Sequence, residues 1–156
     1  MSKDWLFIDD GKIFHFRAAG ILLCDGKILL QREMAGKEFA LPGGHVNFGE
    51  TGAQAVVREF MEEVGQKILP ERLVWVEENF WRWGDKPAHN ITHYYLVRFG
   101  DSVKIPTEGS FDPIEPHLAF EWVGIEDLAN HIIYPEFLPE EIVRLPEGVK
   151  HFVRGL

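Results

Sequence analysis

LPGGHVNFGETGAQAVVREFMEEVGQ, residues 41–66, is the stretch of this chain that decides its fold. Its first part is rich in glycine, which lets backbone amides and carbonyls approach a ligand closely. Its second part predicts a helix that begins near Thr51, where Gln54 completes a capping box, and that ends at Gly65. Apolar residues at helical spacing predict its buried face: Ala53, Val56, Val57, Phe60 and Val64.

Three carboxylates crowd the end of this predicted helix. At about 100° per residue, Glu59 and Glu63 project side by side from one margin of the buried face, and Glu62 points further towards solvent. Like charges at this spacing destabilise a helix by about 0.2–0.5 kcal/mol per pair, and the helix dipole adds to the cost. Such violations of local rules are typical of functional sites. A divalent cation with a preference for oxygen ligands, Mg²⁺ or Mn²⁺, would neutralise the cluster.

The spacing of these residues resembles the signature box of the Nudix hydrolases. Gly44 is followed after five residues by Glu50, and after seven more by residues 58–65, REFMEEVG. Every charged and glycine position of the box is present. The one departure is Gln66, where the family usually has an aliphatic residue, and we expect Ile68 to take over its packing.

The resemblance implies a fold and an activity. The expected fold is an α/β/α sandwich with a mixed β-sheet, formed by residues 1–156 as a single Nudix-like domain. The expected activity is metal-dependent hydrolysis of a diphosphate linkage in a nucleoside diphosphate derivative. Nucleoside triphosphates, ADP-ribose, nucleotide sugars and dinucleoside polyphosphates all remain candidates, because no spacing in the sequence selects one of them.

Metal ligands follow from the angular argument and from the family pattern. Glu59 and Glu63 share a direction and are the expected ligands of Mg²⁺ or Mn²⁺. The family pattern implies that the backbone carbonyl of Gly43 completes the set. Three roles stay open for Glu62: direct ligand, ligand through water, or proton acceptor.

Other charged residues are assigned supporting or catalytic roles. Arg58 and Glu50 are expected to pair and to brace the loop around Gly44 against the helix. The general base is expected outside the box, in the loop over residues 100–116, and Glu115 is preferred because it lies close to the following strand. The other candidates in that region are Glu108, Asp112 and the nearby His117.

Substrate contacts are expected from the strands. Arg17 and Arg32 precede the box and are candidates for charge-assisted bonds to phosphate. Aromatic residues of two later strands could stack on a base, although each of them alone is a better candidate for the core: Phe80, Trp81, Trp83, Tyr94 and Tyr95. His89 and His93 lack partners at ligand spacing, so they do not indicate a zinc site.

The remaining elements predict a mixed sheet with interleaved helices. Alternation and β-branched residues predict strands at residues 12–16, 18–23, 27–31, 38–41, 72–83, 89–99 and 120–123. Asp25-Gly26 predicts a hairpin turn, and residues 84–87 predict a second turn. Short helices are expected at residues 125–131 and 139–144. This order favours the same α/β class that the resemblance implies.

Composition limits the function further. A chain of 156 residues is long enough for the core of one domain, and no apolar run reaches the length of a membrane span. The first residues lack the features of a signal peptide, and the single cysteine, Cys24, suits a reducing cytoplasm. The formal net charge of −9 disfavours long nucleic acid as a partner. We therefore expect a small nucleotide substrate and no membrane partner, and a homodimer is compatible with this interpretation.

Two rival classes of function remain. A non-catalytic, Nudix-like regulatory module would be expected to lose a carboxylate of the box or Arg58, and none is lost. An RNA-end decapping enzyme would be expected to carry a basic tract or an added domain, and the sequence has neither.

Overall fold

The computed structural model describes residues 4–112 and 114–156. Pro113, which the sequence predicts within the long loop, lies outside the described residues, as do the first three residues. The strands are β1 (Leu6–Asp9), β2 (Lys12–Cys24), β3 (Lys27–Glu33), β4 (Glu38–Ala40), β5 (Gly43–His45), β6 (Ile68–Trp83), β7 (Lys86–Phe99), β8 (Ser110–Phe111), β9 (Leu118–Gly124), β10 (Ile132–Tyr134) and β11 (Lys150–Arg154). The helices are α1 (Gly52–Glu59), continued by a π-helical segment (Phe60–Val64), a 3₁₀ segment (Ile125–Asn130) and α2 (Leu138–Glu141).

β2 is the central strand of the mixed sheet. It runs parallel to β7, which pairs antiparallel with β6, and β11 is added parallel to β6. Along its other edge β2 pairs first with β1 and then with β5. The end of β2 continues into β3, which pairs antiparallel with β9 and β4, and β10 runs parallel to β4. Residues far apart in sequence therefore meet around β2.

The turn between β2 and β3 confirms the hairpin predicted from the sequence. Asp25 and Gly26 both have positive φ, 48° and 75°. Two positive φ angles in a two-residue loop are those of a type I′ turn, whose twist matches the twist of the flanking strands. The local sequence alone was enough to predict it.

Helix α1 begins as the capping box predicts. The Gln54 N–H donates to Thr51 Oγ1 at 3.1 Å, and the Thr51 N–H donates to Gln54 Oε1 at 2.8 Å. The buried face differs slightly from the predicted one, because Ala55 is buried in place of Ala53, and Val57 is only half-buried. A β-carbon on Gly20 of β2 would lie 2.6 Å from the ring of Phe60, so the missing side chain lets the helix pack closely.

The last turn of this helix is wider than the sequence predicts. A regular helix is expected up to Gly65, but Phe60–Val64 is π-helical, and the Gly65 N–H donates to the Phe60 carbonyl. Gly65 ends the helix in the left-handed conformation, with φ of 75°, as predicted. Single π turns inside helices occur often at functional sites, and this one carries Glu62 and Glu63.

Two apolar clusters lie on opposite faces of the sheet. The first packs the helix around Val56 and Phe60 against β2 and β7. The second packs Trp75 of β6 against Leu128 and Leu138, which follow β9. Helices therefore cover both faces of a mixed sheet, as expected for an α/β/α sandwich. No helix in the described part of the chain is long and apolar enough to cross a membrane.

Several elements were not predicted from the sequence. β1, β5, β10 and β11 have no alternating apolar pattern, and β5 was expected as an open loop. Lys86 and Pro87, expected in a turn, begin β7. The two short helices are present but shorter than expected. A short edge strand forms because it pairs with a strand that is distant in sequence, so the local sequence pattern does not predict it.

Gln66, the departure from the family pattern, is fully buried. Its Nε2 donates to the carbonyls of Lys67 and Ser102 at 2.8 and 2.9 Å, and its Oε1 accepts from the Lys104 N–H at 2.7 Å. Ile68 is fully buried as well, as expected. The amide therefore does more than fill an aliphatic position, because it ties the end of the helix to the start of the long loop.

We predict that Gln66→Leu destabilises the protein, although it restores the residue type usual in the family. The Lys104 N–H and the Ser102 and Lys67 carbonyls would each lose a hydrogen bond to the buried amide, and a typical hydrogen bond contributes about 0.5–1.5 kcal/mol. The free energy of unfolding, measured with urea, should fall by about 2 kcal/mol or more. Lys67→Leu, at an exposed neighbouring position, is the control. Equal stability of Gln66→Leu and wild type would show that these hydrogen bonds contribute nothing.

Candidate active site

Arg58 connects the helix to the glycine-rich segment. Its Nη2 and Nε donate to the two carboxylate oxygens of Glu50 at 2.6 and 3.1 Å. Nη2 also donates to the His45 carbonyl at 2.9 Å, and Nη1 donates to Glu59 Oε1 at 2.8 Å. The pairing of Arg58 with Glu50 expected from the sequence is therefore present, and the same guanidinium also orients Glu59.

The charges of this network favour its ionised form. Hydrogen bonds to Glu50 above all, and then to Glu59, raise the pKa of Arg58 against the effect of burial. For Glu50, burial opposes the shift, but hydrogen bonds from Arg58 and from the Asn47 N–H lower its pKa. Both groups stay charged at neutral pH, so the brace is a charge-assisted pair.

Gly44 makes room for the carboxylate of Glu59. A β-carbon at Gly44 would lie 2.5 Å from both Cδ and Oε1 of Glu59. No residue with a side chain fits there unless Glu59 moves. The glycine of the box is therefore required by close packing against the carboxylate, and its φ does not lie in the left-handed region.

Glu59 and Glu63 form a partly buried carboxylate pair. Burial raises the pKa of Glu63 to about 8, and the neighbouring Glu59 adds to the shift. Burial also raises the pKa of Glu59, although Arg58 opposes this. Glu63 Oε2 is buried and has no hydrogen-bond partner among the described residues. Two carboxylates this close, one with an unpaired oxygen, fit a site that receives a cation.

The pairing of β5 with β2 directs the Gly43 carbonyl away from β2. The Gly20 N–H donates to the Pro42 carbonyl, and the Val46 N–H donates to the Phe16 carbonyl. In an antiparallel pair of strands, hydrogen-bonded and non-hydrogen-bonded residue pairs alternate. Gly43 and Ala19, which lie opposite each other next to the hydrogen-bonded pair of Gly20 and Pro42, are therefore a non-hydrogen-bonded pair. The carbonyl of His45, two residues on, points outward in the same way and is bound by Arg58. The Gly43 carbonyl is therefore available to a ligand.

These groups fit a hard divalent cation. No cluster of three His, Cys, Asp or Glu side chains is arranged for a metal in residues 4–112 and 114–156. Mg²⁺, however, is usually held by one or two carboxylates and keeps several waters or substrate oxygens. The carboxylate pair, its unpaired buried oxygen and the outward carbonyl of Gly43 match that donor set.

Glu62 lies apart from this pair. Its side chain is 55% exposed, and its carboxylate lies 3.2 Å from Arg58 Nη1. The side chain of Glu62 therefore faces solvent, as the sequence predicts. Its contact with Arg58 keeps it at the edge of the site, beside the carboxylates but not between them.

The long loop brings one of its acidic residues to the site. The charge of Glu115 acts on Glu63, and Glu115 Oε2 lies 3.9 Å from His117 Nδ1. The side chain of Ile114, although largely exposed, lies next to Gly65 at the end of the helix. Glu108 and Asp112 are exposed, and neither is among the charges that act on Glu63. Of the three candidates in the loop, Glu115 is the one whose charge acts on Glu63.

Arg17 joins the carboxylates to a large cavity. Its charge opposes the rise in the pKa of both Glu59 and Glu63, and its side chain lines a cavity of about 740 Å³. Residues of β2, β4, β6, β7, β10 and β11, and of the segments after β4, β10 and β11, form the walls: His15, Arg17, Ala19, Glu38, Ala40, Leu41, Glu77, Asn79, Phe80, Trp81, Asn90, Thr92, Tyr94, Tyr134, Pro135, Glu136, Arg154 and Gly155. The cavity is large enough for a nucleoside.

Other candidates for substrate contact lie elsewhere. Arg32 is not among the residues lining this cavity, and its Nη1 donates to the carbonyls of Glu33 and Met34. A phosphate contact by Arg32 therefore has no support from the geometry. Of the five aromatic candidates, Trp83 and Tyr95 are also absent from the walls, and Tyr95 packs against Gly52 at the start of α1.

Apart from Arg17, the charged and amide residues of the cavity were not predicted from the sequence. His15 alternates with Arg17 on β2, and Asn90 alternates with Thr92 on β7, so each pair shares one strand face. Polar residues at every second position of otherwise apolar central strands are the signal that could have indicated them.

Known proteins resemble this chain in sequence and fold. An RNA pyrophosphohydrolase from Sodalis glossinidius (strain morsitans) is 35% identical over 80 residues, 44% of this chain and 46% of that protein. The chain spans about half the length of the curated relatives it matches. An ADP-ribose pyrophosphatase from Streptococcus suis shares 19% identity with a TM-score of 0.59, covering 90% of this chain and 98% of that one.

A further solved structure is similar in fold to this chain. The MutT NUDIX hydrolase from Burkholderia pseudomallei shares 24% identity with a TM-score of 0.62, covering 84% of this chain and 98% of that one. These likenesses confirm the predicted α/β fold. The NUDIX domain family matches residues 14–141, which is most of the chain. The resemblance first seen in the box thus extends across the sheet, and the chain belongs to the NUDIX domain family.

Proposed function

We propose that this protein is a Mg²⁺- or Mn²⁺-dependent hydrolase that cleaves a diphosphate linkage in a nucleoside diphosphate derivative, by attack of water at phosphorus. The observation that carries the proposal is the partly buried pair of Glu59 and Glu63, in which Oε2 of Glu63 is buried and has no hydrogen-bond partner among the described residues. This pair lies beside Arg17, which lines a cavity of nucleoside size. Family membership supports the same reaction class, because Nudix hydrolases generally use divalent metals.

Each residue of the site has a role in this proposal. Glu59 and Glu63 hold the cation, and the Gly43 carbonyl completes its protein ligands. When bound, the cation supplies charge neutralisation for the diphosphate and a more acidic water. Arg58 fixes the direction of Glu59 and, through Glu50, the position of the glycine-rich segment.

Two further residues act on the substrate and the water. Arg17 holds the diphosphate at the mouth of the cavity, where its charge already reaches the carboxylate pair. Glu115 accepts the proton of the attacking water; this role is supported by its charge, which is the one from the loop that acts on Glu63. Glu62 is the alternative proton acceptor, as its exposed carboxylate lies at the edge of the site.

A second candidate substrate is the 5′ end of RNA. It is favoured by the similarity of 44% of this chain to the RNA pyrophosphohydrolase from Sodalis glossinidius. The formal net charge of −9 argues against it, since RNA binding relies on Lys and Arg that neutralise phosphates. We therefore favour a small nucleotide. The cytoplasmic location, the homodimer and the single domain over residues 1–156 remain predictions from the sequence.

The experiment that tests the proposal is a substrate panel assayed with Mg²⁺ and with Mn²⁺. It should contain nucleoside triphosphates, ADP-ribose, nucleotide sugars, dinucleoside polyphosphates and a 5′-triphosphorylated RNA oligonucleotide. We expect hydrolysis of at least one small nucleotide, and none in a chelator. Hydrolysis of the RNA alone would transfer the function to the second candidate, and the absence of any hydrolysis would contradict both.

We predict that the isolated protein binds Mg²⁺ or Mn²⁺ through the carboxylate pair. Calorimetric titration should detect this binding in the wild type, with or without nucleotide, and Glu63→Gln should weaken it because one anionic ligand is lost. Glu121→Gln, on β9 and away from the pair, serves as the control. A wild type that binds neither ion under both conditions would remove the basis of the proposed reaction.

We predict that Glu59→Gln and Glu63→Gln reduce kcat most strongly among the box carboxylates. Even partners that only support a metal ligand contribute about 10- to 100-fold, so each loss should exceed ~100-fold. Each variant should fold, and relief of carboxylate repulsion should hold or raise the Tm measured without metal. Glu62→Gln is the matched comparison. If Glu62→Gln were the most damaging of the three, the angular separation of Glu62 from the pair would be the wrong guide to function.

We predict that Glu115→Gln lowers kcat by at least about tenfold, since a general base contributes about 10²–10⁴-fold and neighbours substitute in part. Affinity for Mg²⁺ should stay near that of the wild type, and the acidic limb of the pH–rate profile should flatten. Glu108→Gln and Asp112→Asn are the controls from the same loop. Wild-type rates for all three variants would place the base inside the box, with Glu62 as the first choice.

A further inference from the structure

A line of hydrogen bonds runs along the wall of the cavity. Trp81 Nε1 donates to Asn90 Oδ1 at 2.9 Å, and Asn90 Nδ2 donates to Thr92 Oγ1 at 3.0 Å. Further along, Tyr94 Oη donates to Glu77 Oε1 at 2.9 Å. These side chains are largely committed to one another, so they form a fixed polar surface.

His15 lies next to this surface, with its ring edge-on to that of Trp81, but it is not hydrogen-bonded to the surface. It is Asn90's neighbour in the β2–β7 register, and it lines the cavity with only 7% of its area exposed. Its Nδ1 is buried with no hydrogen-bond partner in the described part of the chain. Nε2 is not among these buried, unpaired atoms, so it is the nitrogen that remains accessible.

The surroundings of His15 determine its protonation. Burial above all, and then the charges of Arg17 and His45, lower its pKa to about 4. The ring is therefore neutral near pH 7 and carries one proton. A buried N–H without a partner is rarer than a buried acceptor without one. We therefore assign the proton to Nε2, which makes His15 a hydrogen-bond donor towards the cavity.

The position of His15 relative to Arg17 gives the distance to the diphosphate. The two residues are two apart on β2, so they share a strand face and their Cα atoms lie about 6.6–6.8 Å apart. If Arg17 holds the diphosphate, His15 faces the group attached directly to it. In a nucleoside diphosphate that group is the sugar, and the base lies further away.

The charges around the cavity agree with an uncharged group beyond the diphosphate. Glu77, Glu136 and Glu38 line this part of the cavity, and Arg154 is engaged in ion pairs with the first two. The cations available there are already neutralised by carboxylates. A second anionic group would be poorly accommodated, whereas a sugar with hydroxyl groups would be well accommodated.

We propose that His15 recognises the sugar of the substrate, its Nε2–H donating a hydrogen bond to a hydroxyl oxygen of the sugar next to the diphosphate. This rests on the proposed function, because Arg17 marks the diphosphate end only if the site binds nucleoside diphosphate derivatives. His15 is then a residue that selects ribose over a sugar lacking that hydroxyl.

Binding measured without metal tests this proposal separately from hydrolysis. ATP, 2′-deoxy-ATP and 3′-deoxy-ATP should be titrated into the protein in a chelator, with the same three forms of UTP as a second set. The wild type should bind the ribose form more tightly than at least one deoxy form by about three- to tenfold, the range of one neutral hydrogen bond. His15→Phe should abolish that preference with little change in affinity for the deoxy form. His151→Phe, at an exposed position of β11, should keep it.

The outcomes distinguish the proposed sugar contact of His15 from the proposed hydrolysis. His15→Gln retains an N–H donor and should keep part of the preference for ribose, which a merely structural role of His15 would not produce. The proposal is overturned if the wild type shows no preference, or if His15→Phe keeps the full preference. A preference that disappears in His15→Phe, beside a complete lack of hydrolysis with Mg²⁺ and Mn²⁺, would support the sugar contact and reject the proposed reaction.

Discussion

The guanidinium of Arg58 is the group on which the rest of the site depends. It binds both oxygens of Glu50, one oxygen of Glu59 and the carbonyl of His45, so it joins the helix to the segment carrying Gly43 and Gly44. A planar group with several fixed donors can satisfy these acceptors at once, whereas a lysine ammonium would act as a point charge. Because Glu59 and the segment that carries the glycines are positioned by this one side chain, much of the geometry of the candidate metal site follows from it.

The helix and its box could be predicted from the sequence because their determinants are local. Thr51, Gln54 and Gly65 define the ends of the helix through neighbouring backbone groups, and the spacing of Glu59 and Glu63 determines their common direction. The widened π turn over Phe60–Val64 could not be predicted, because the spacing argument assumes the 100° per residue of a regular α-helix. It leaves the pair together and keeps Glu62 at the edge.

The cavity was much harder to predict because its walls come from distant parts of the chain. His15 and Asn90 meet through the parallel pairing of β2 with β7, and Arg154 arrives through the pairing of β11 with β6. No motif marks these residues, and each of them alone resembles an ordinary strand residue. Arg32 was a plausible phosphate ligand by the same criteria, yet backbone carbonyls bind it outside the cavity.

β11 makes the cavity dependent on the order in which the chain is made. A β-carbon on Gly155 would lie 1.8 Å from the Phe80 carbonyl, so the segment after β11 lies directly against β6. Domains fold during synthesis as their residues emerge from the ribosome, at about 5–20 residues per second. One wall of the cavity, with Arg154 and Gly155, is therefore missing until residues 150–155 have been translated. A nascent chain stalled before that point would carry the carboxylate pair without a completed cavity beside it.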